Sequence, residues 1–391
     1  MSTPNNDEII PFTVTVSDDV IEDLRDRLSR TRWPDQLPET GWDYGTDRGY
    51  LHQLCEYWRT KFDFRAFEKR LNTYPQFLTT IDALRVHFYH VRSPEPDAMP
   101  LILTHGWPGS CVEYLSAIGP LSDPVAHGGD AADAFHVVVP SLPGFAFSGH
   151  TTVRGVHGRA IAPAFAALMA RLGYSRYLVQ GGDIGAQISA LLGEIDPEHV
   201  AAVHLNLLPL GPPPNPMNPF EGLSGEDLEV AQKTFGFLEH DTGYWRIQAT
   251  RPQTVSYGLN DSPAGLAGWI VEKFRAWTDC GGDIESAFTK DELLTNITLY
   301  WITQTINSSA RYYYENTGPG RMVDPPKVEV PTGYAMFPGE HYKMPLAWAK
   351  DNFNLVHSVN MAKGGHFAAM QVPELFVEEV RGFFRGYRTR P

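Results

Sequence analysis

The chain has 391 residues, 42% of them hydrophobic and 20% charged, which suits a globular protein of two or three folding units, larger than one ordinary core. A formal net charge of −14 opposes nucleic acid or an anionic membrane as a partner. Cys55, Cys111 and Cys280 are too few and too scattered for a disulfide framework or a metal pattern. Together with an N-terminus lacking signal-peptide character and the lack of a membrane-length apolar run, they point to a soluble cytoplasmic protein.

In chain order, Phe12, Val14 and Val16 alternate like a strand, after which Ser17 or Asp18 can cap a helix bearing Val20, Ile21, Leu24 and Leu28, ended by Trp33-Pro34. Leu51, Leu54, Trp58 and Phe62 mark a second helix, and this N-terminal block shows core positions without a constellation of acids, bases or ligands. Alternation from Thr80 to Val91 predicts an antiparallel strand pair. Leu101–Leu103, Val137–Val139, Tyr177–Val179 and Val200–Val203 read as buried strands, interleaved with helical runs at Ile161–Leu172 and from Ala186 to Leu191. That order predicts an α/β protein with a mostly parallel sheet and helices on both faces. The proline-rich stretch from Pro209 to Pro219 breaks the pattern as a linker, and only helices follow it, at 225–239, 244–249, 262–278 and 290–315. A second breaker, from Gly318 to Pro326, returns the chain to strands at Tyr334–Phe337 and Leu355–Val359, then a last helix from Glu374 to Phe384. Helices inserted between two halves of one sheet form a lid. The expected division is an N-terminal extension over 1–78, the first half of the core over 79–208, the lid over 209–326 and the second half of the core over 327–391.

The chemistry centres on Gly181-Gly182-Asp183-Ile184-Gly185, between a strand and a helix. This is the setting of a nucleophile elbow, in which small neighbours permit a strained turn and a close strand–helix approach. Aspartate stands where serine is usual; its carboxylate is already ionised at neutral pH and suits attack on a saturated carbon. Asp183 as a plain helix cap is the competing reading. His105-Gly106-Trp107-Pro108-Gly109 follows the Leu101–Leu103 strand. In such a fold the loop supplies one backbone N–H of an oxyanion hole, here Trp107, and Ile184 after the nucleophile supplies the other, with a cis Trp107–Pro108 bond allowing the turn. An ordinary strand-ending turn is the alternative. An acid and then a histidine must follow the nucleophile in the chain. His366, flanked by Gly365 on a loop, is the candidate base among 14 histidines; Glu340, just past the Tyr334–Phe337 strand, is the orienting acid, with Asp351 in a helical run as its rival.

These features resemble the microsomal-type epoxide hydrolases of the α/β-hydrolase superfamily, including their soluble bacterial members, over almost the whole chain. The resemblance is carried by Pro11-Phe12 through Thr31-Arg32-Trp33-Pro34, Leu71-Asn72-Thr73-Tyr74-Pro75-Gln76-Phe77, the His105–Ser110 loop, Pro140-Ser141-Leu142-Pro143-Gly144-Phe145 and the elbow. It continues through Leu259-Asn260-Asp261-Ser262-Pro263, Tyr300-Trp301 and Gly364-Gly365-His366-Phe367-Ala368-Ala369. It implies the α/β-hydrolase fold with an inserted helical lid, Asp183 as nucleophile, His366 as base and Glu340 as its orienting acid. It also implies two lid tyrosines as proton donors, Tyr244 and Tyr313, the latter flanked by Tyr312 and Tyr314. The implied reaction opens an epoxide to a vicinal diol through an alkyl-enzyme ester, with water as co-substrate and neither cofactor nor metal. Ala83 departs from the family pattern, which commonly has glycine there, and the membrane-anchoring helix of animal members has no counterpart. Lid aromatics Trp245, Trp269, Trp277 and Trp301 favour a small apolar or aromatic epoxide, and a homo-oligomer stays open. Two other readings compete: a haloalkane or fluoroacetate dehalogenase, which shares the aspartate but would need halide-holding donors, and a non-catalytic binding protein on the same scaffold.

Overall fold

The computed structural model describes residues 8–210, 215–321 and 324–388. One nine-stranded sheet runs through the molecule, built from β1 (Ile10–Phe12), β2 (Gln76–Ile81), β3 (Leu84–Val91), β4 (Met99–Thr104), β5 (Phe135–Pro140), β6 (Tyr177–Gly181), β7 (Val200–Leu205), β8 (Val328–Met336) and β9 (Phe353–Asn360). Their spatial order is β1-β2-β3-β5-β4-β6-β7-β8-β9. The first three strands and the β3–β5 junction pair antiparallel; every pairing from β5 to β9 is parallel. Strands β4, β6 and β7 are buried at every residue, as a parallel sheet covered on both faces requires, so their apolar runs are continuous rather than alternating.

Helices α1 (Asp18–Ser29), α2 (Arg48–Thr60) and α3 (Phe64–Leu71) form the N-terminal layer, and α4 (Leu115–Ser122), α5 (Gly158–Arg171) and α6 (Asp183–Ile195) accompany the first half of the sheet. Between β7 and β8 the chain makes only helices: α7 (Gly225–His240), α8 (Gly243–Thr250), α9 (Pro252–Asp261), α10 (Pro263–Ala276), α11 (Lys290–Thr303) and α12 (Ile306–Thr317). Helices α13 (Leu346–Ala349), α14 (Ala368–Gln371) and α15 (Pro373–Phe384) belong to the last half. None among the described residues is long and apolar enough to cross a membrane.

Several expectations need correcting. The first strand is shorter than Phe12–Val16: Val14 and Val16 are buried but take their N–H partners from the Asn72 and Glu68 side chains, not from a neighbouring strand. Ser17 occupies the cap position of α1 without a side-chain bond, and α1 stops at Ser29. The single helix expected over 290–315 is two, broken at Gln304, whose φ of 53° is left-handed, and α3 and α9 were not foreseen. Asp351 lies exposed on the turn before β9, not in a helix. Of the proline-rich linker, residues 211–214 lie outside the described residues, as do 322–323 of the second breaker.

The start of α6 passes so close to the end of β4 that a Cβ on Gly185 would overlap the Thr104 carbonyl, whereas one on Gly182 would meet nothing nearer than Asn206 Nδ2 at 3.7 Å. Gly185→Ala is therefore expected to destabilise the protein by at least ~2 kcal/mol and Gly182→Ala by less than ~1 kcal/mol, measured by urea denaturation.

Candidate active site

Asp183 sits at the first position of α6, two residues past the end of β6, with φ at 51°. A non-glycine residue held there is strained, and such strain concentrates where a side chain must be aimed. The carboxyl points into space left by Gly106, where a Cβ would overlap Asp183 Oδ1. The Trp107 N–H donates to that same oxygen at 2.8 Å, and the Ile184 N–H also donates to the carboxyl. Burial raises the Asp183 pKa; the nearby His366 and the two N–H groups work against it, and the net shift is upward. The Trp107–Pro108 bond is cis.

The lid fastens this loop from above. Asn296 Nδ2 donates to the Pro108 carbonyl at 2.8 Å, Tyr300 Oη to the Gly109 carbonyl at 2.7 Å, and Ser110 Oγ to Asn296 Oδ1 at 2.7 Å. His105, despite its place in the motif, is structural: it is buried, its Nε2 accepts from the Leu142 N–H at 3.1 Å, and burial lowers its pKa to about 4.

His366 and Glu340 arrive on loops after β9 and β8, brought together by a bridge between Gly339 and Gly365. His366 Nδ1 lies 2.9 Å from Glu340 Oε2 and 3.1 Å from Oε1, and the backbone N–H of His366 donates to the Trp277 carbonyl at 2.9 Å. This fixes the ring so that Nε2 faces Asp183 Oδ2 at 3.6 Å, beyond a direct hydrogen bond. Burial disfavours the imidazolium, but Glu340 first and Asp183 after it outweigh burial and raise the His366 pKa to about 9. Burial likewise opposes the Glu340 carboxylate, yet His366 and His341 hold its pKa below the ordinary range. The rival acid, Asp351, is exposed.

Tyr244 on α8 and Tyr313 on α12 face each other over Asp183, their rings 6.0 Å apart at 81°. Trp107 is the platform for both, stacked on Tyr244 at 5.2 Å and edge-on to Tyr313 at 5.7 Å. Burial, with the Asp183 charge adding to it, keeps both phenols well above their usual pKa and hence protonated. The neighbours of Tyr313 are otherwise engaged: Tyr312 Oη donates to Gln187 Oε1 at 2.6 Å, and Tyr314 is exposed beside Arg321. A cavity of about 350 Å³ opens onto Asp183 and both phenols, walled by Leu207, Phe237, Leu238, Trp245 and Trp348. Of the four lid tryptophans expected there, only Trp245 lines it. Trp277 stacks on His341 at 4.1 Å, behind the base, and Trp301 lies under the Arg27 guanidinium at 5.8 Å.

Three neighbours were not anticipated. His341 is half-buried beside Glu340, with Nδ1 3.1 Å from Oε1, and was signalled only by adjacency in sequence. Lys273 sets its ammonium 4.7 Å from the centre of the Tyr244 ring. Glu113, four residues past Gly109, turns its carboxyl back under the loop; no spacing rule marks it.

Residues 9–114 match the family described as epoxide hydrolase N terminus, and residues 99–241 the alpha/beta hydrolase fold. Epoxide hydrolase 1 of Sus scrofa is 40% identical over 97% of this chain and 89% of its own length. The solved structure of juvenile hormone epoxide hydrolase from Bombyx mori superposes with a TM-score of 0.88 at 32% identity, over 97% of this chain and 95% of that one. Aspergillus niger epoxide hydrolase gives 0.85 at 32% identity, over 97% of both.

Because Glu340 is the largest influence raising the His366 pKa and Asp183 a smaller one, the two should separate by titration. Glu340→Gln is expected to lower the His366 pKa by ~1–2 units and Asp183→Asn by less, followed through the imidazole Cε1–H resonance in NMR. The opposite ranking would contradict this charge arrangement.

Proposed function

We propose how this chain, which belongs to the epoxide hydrolase family, converts an epoxide and water into a vicinal diol. The protein is a hydrolase acting on epoxides; the roles below are assigned from geometry. Tyr244 and Tyr313 donate hydrogen bonds to the epoxide oxygen while Asp183 attacks a ring carbon from the opposite side. The Trp107 N–H holds Oδ1, so Oδ2 is the free nucleophile. The C–O bond of the ring breaks, a phenol supplies the proton to the departing alkoxide, and an ester forms through Oδ2. His366 then takes a proton from water, which attacks Cγ of Asp183; the Trp107 and Ile184 N–H groups stabilise the oxyanion on Oδ1. Collapse breaks the Cγ–Oδ2 bond and the hydrogen left on the water-derived hydroxyl passes to Oδ2, so the diol leaves with Oδ2 and the aspartate, again a carboxylate, keeps the water oxygen.

The single observation that carries this reading is the pairing of an Asp183 carboxylate, fixed by backbone N–H groups, with two protonated phenols over it. The raised His366 pKa fits a closed proton cycle. In the resting site the imidazolium lies between two carboxylates. Esterification removes the Asp183 charge, the imidazole gives up its proton to restore the phenol, and it regains one from water in the second step. Glu340 orients the ring throughout.

The apolar walls of the 350 Å³ cavity support a small apolar or aromatic epoxide as substrate. Free, buried Cys55, Cys111 and Cys280 support a reducing, cytoplasmic setting. We assign residues 1–78 to the extension, 79–208 and 327–391 to the core and 209–326 to the lid, a division supported by the purely helical run between β7 and β8.

With styrene oxide in ¹⁸O-water, a single turnover should place the isotope in Asp183 and none in the first diol released; labelled diol at once would exclude the ester route. His366→Gln should accumulate the ester, seen as a mass increase by intact-protein mass spectrometry. Ester hydrolysis in the wild type should speed up as pH rises and His366 deprotonates, with a midpoint below the resting value of about 9, because the ester has lost the Asp183 charge. Tyr313→Phe is expected to lower kcat/KM at least ~10-fold, against ~3-fold or less for Tyr312→Phe and Tyr314→Phe.

A further inference from the structure

A small cavity lined by Gly106, Glu113, Gly182, Asp183 and His366 shares only Asp183 with the lining of the substrate cavity. Its volume is about 10 Å³, close to the least that admits one water molecule. Its polar lining consists of Glu113, Asp183, Asn206 and His366, which meets the two to four partners a buried water needs. Three of these residues already have places in the site or beside it: Asp183 and His366 react, and Asn206 Oδ1 accepts from Gln180 Nε2 at 3.3 Å. Glu113 is the buried carboxyl with no assigned task.

Its position is built in. Glu113 lies on the short 3₁₀ turn Cys111–Tyr114, and its backbone N–H donates to the Ser110 carbonyl at 3.1 Å. The side chain folds back so that its carboxyl occupies the place a Cβ on Gly109 would take, and the Ser110 N–H donates to it. Any side chain at 109 would expel the carboxyl, so the glycine of the oxyanion loop serves Glu113 as well as the turn.

We propose that Glu113 holds the hydrolytic water, accepting one of its hydrogens while His366 Nε2 accepts the other, with the water oxygen facing Cγ of Asp183. In the two-step scheme only His366 is otherwise assigned to that water, and its Nε2, 3.6 Å from Oδ2, does not bond directly to the nucleophile. A carboxyl suits the task in its neutral form, because a second carboxylate there would repel the oxyanion forming on Oδ1. Burial supports this by raising the Glu113 pKa to about 8 in the resting site, against the opposing pull of His366. The water gives one proton to His366 and its oxygen to Cγ; Glu113 neither gains nor loses a proton.

This inference rests on the ester mechanism above, and stopped-flow single turnovers with styrene oxide, with the adduct followed by mass spectrometry, separate the two. In Glu113→Ala, ester formation should stay within ~3-fold of wild type while ester hydrolysis slows at least ~30-fold, so adduct accumulates. Glu113→Gln keeps a carbonyl acceptor in the same place and should restore hydrolysis to within ~5-fold. Glu113→Asp, which keeps the charge type but withdraws the carboxyl by one methylene, should accumulate adduct like the alanine variant and serves where Glu113→Ala does not fold. Hydrolysis at the wild-type rate in Glu113→Ala or Glu113→Asp, or equal slowing of both steps, overturns the role of Glu113. Failure of every variant, His366→Gln included, to show an adduct overturns the ester scheme instead.

Discussion

The site depends on one close approach, the start of α6 against the end of β4. Gly185 lets the helix backbone touch the Thr104 carbonyl, and Gly106 leaves room for the Asp183 carboxyl beside the Trp107 N–H. With larger residues at either position the aspartate would be displaced from its donors and would become an ordinary buried acid, protonated by burial. The strain at Asp183, with φ at 51°, is tolerated because the sheet on one side and the helix on the other leave it no alternative. The same geometry separates the two carboxylate oxygens: Oδ1 accepts from the Trp107 N–H, and Oδ2 lies toward His366.

From that placement the electrostatics follow. Asp183, Glu340 and Glu113 lie around the His366 imidazole; His366, Glu340 and Glu113 are buried and Asp183 is half-buried. Three carboxylates facing one imidazolium in a low dielectric would repel one another strongly. The charge is instead distributed unevenly: His366 and His341 lower Glu340, burial raises Glu113, and burial raises Asp183 against the pull of His366 and two N–H donors. Groups of one chemical type are thus pushed in different directions by their surroundings alone, and the proposed mechanism uses this to divide nucleophile, orienting acid and neutral acceptor.

Much of this was legible in the sequence, for reasons that differ by residue. Strands β4 to β7 announced themselves as unbroken apolar runs, and the elbow by its glycines, because a parallel sheet buried on both faces and a strained turn each demand specific residue types. Glu340 and His366 were readable from chain order and loop position, their contact being made by strand ends the topology brings side by side. Edges of elements were less legible. Val14 and Val16 alternate as a strand would, but side chains from Asn72 and Glu68 supply their partners, and alternation cannot distinguish the two. The break at Gln304 carries no proline or glycine; residues on either side bond through Thr303 and Thr305 hydroxyls, and the kink is set by tertiary packing. Tyr312, Tyr313 and Tyr314 are each turned by about 100° from the next on a helix, so only the packing of α12 decides which phenol faces Asp183. Glu113 was invisible because its use depends on a side chain folding back beneath Gly109.

Trp107 shows how the two halves of the reaction are held in register. In the proposed mechanism its backbone N–H serves the nucleophile and the later oxyanion, while its indole supports both phenols that act on the epoxide oxygen. The loop that carries it is bonded from the lid by Asn296 and Tyr300, so the lid is attached to the sheet at the point where the chemistry occurs. Donors on the lid and nucleophile on the core would otherwise be free to shift against each other, and ring opening requires them on opposite sides of a three-membered ring within a few tenths of an ångström. A residue contributing by its main chain to one step and by its side chain to the other removes that freedom, since neither set of donors can move without carrying Trp107 along. The lid is thus a fixed half of the active site, fastened at its centre rather than closing over it.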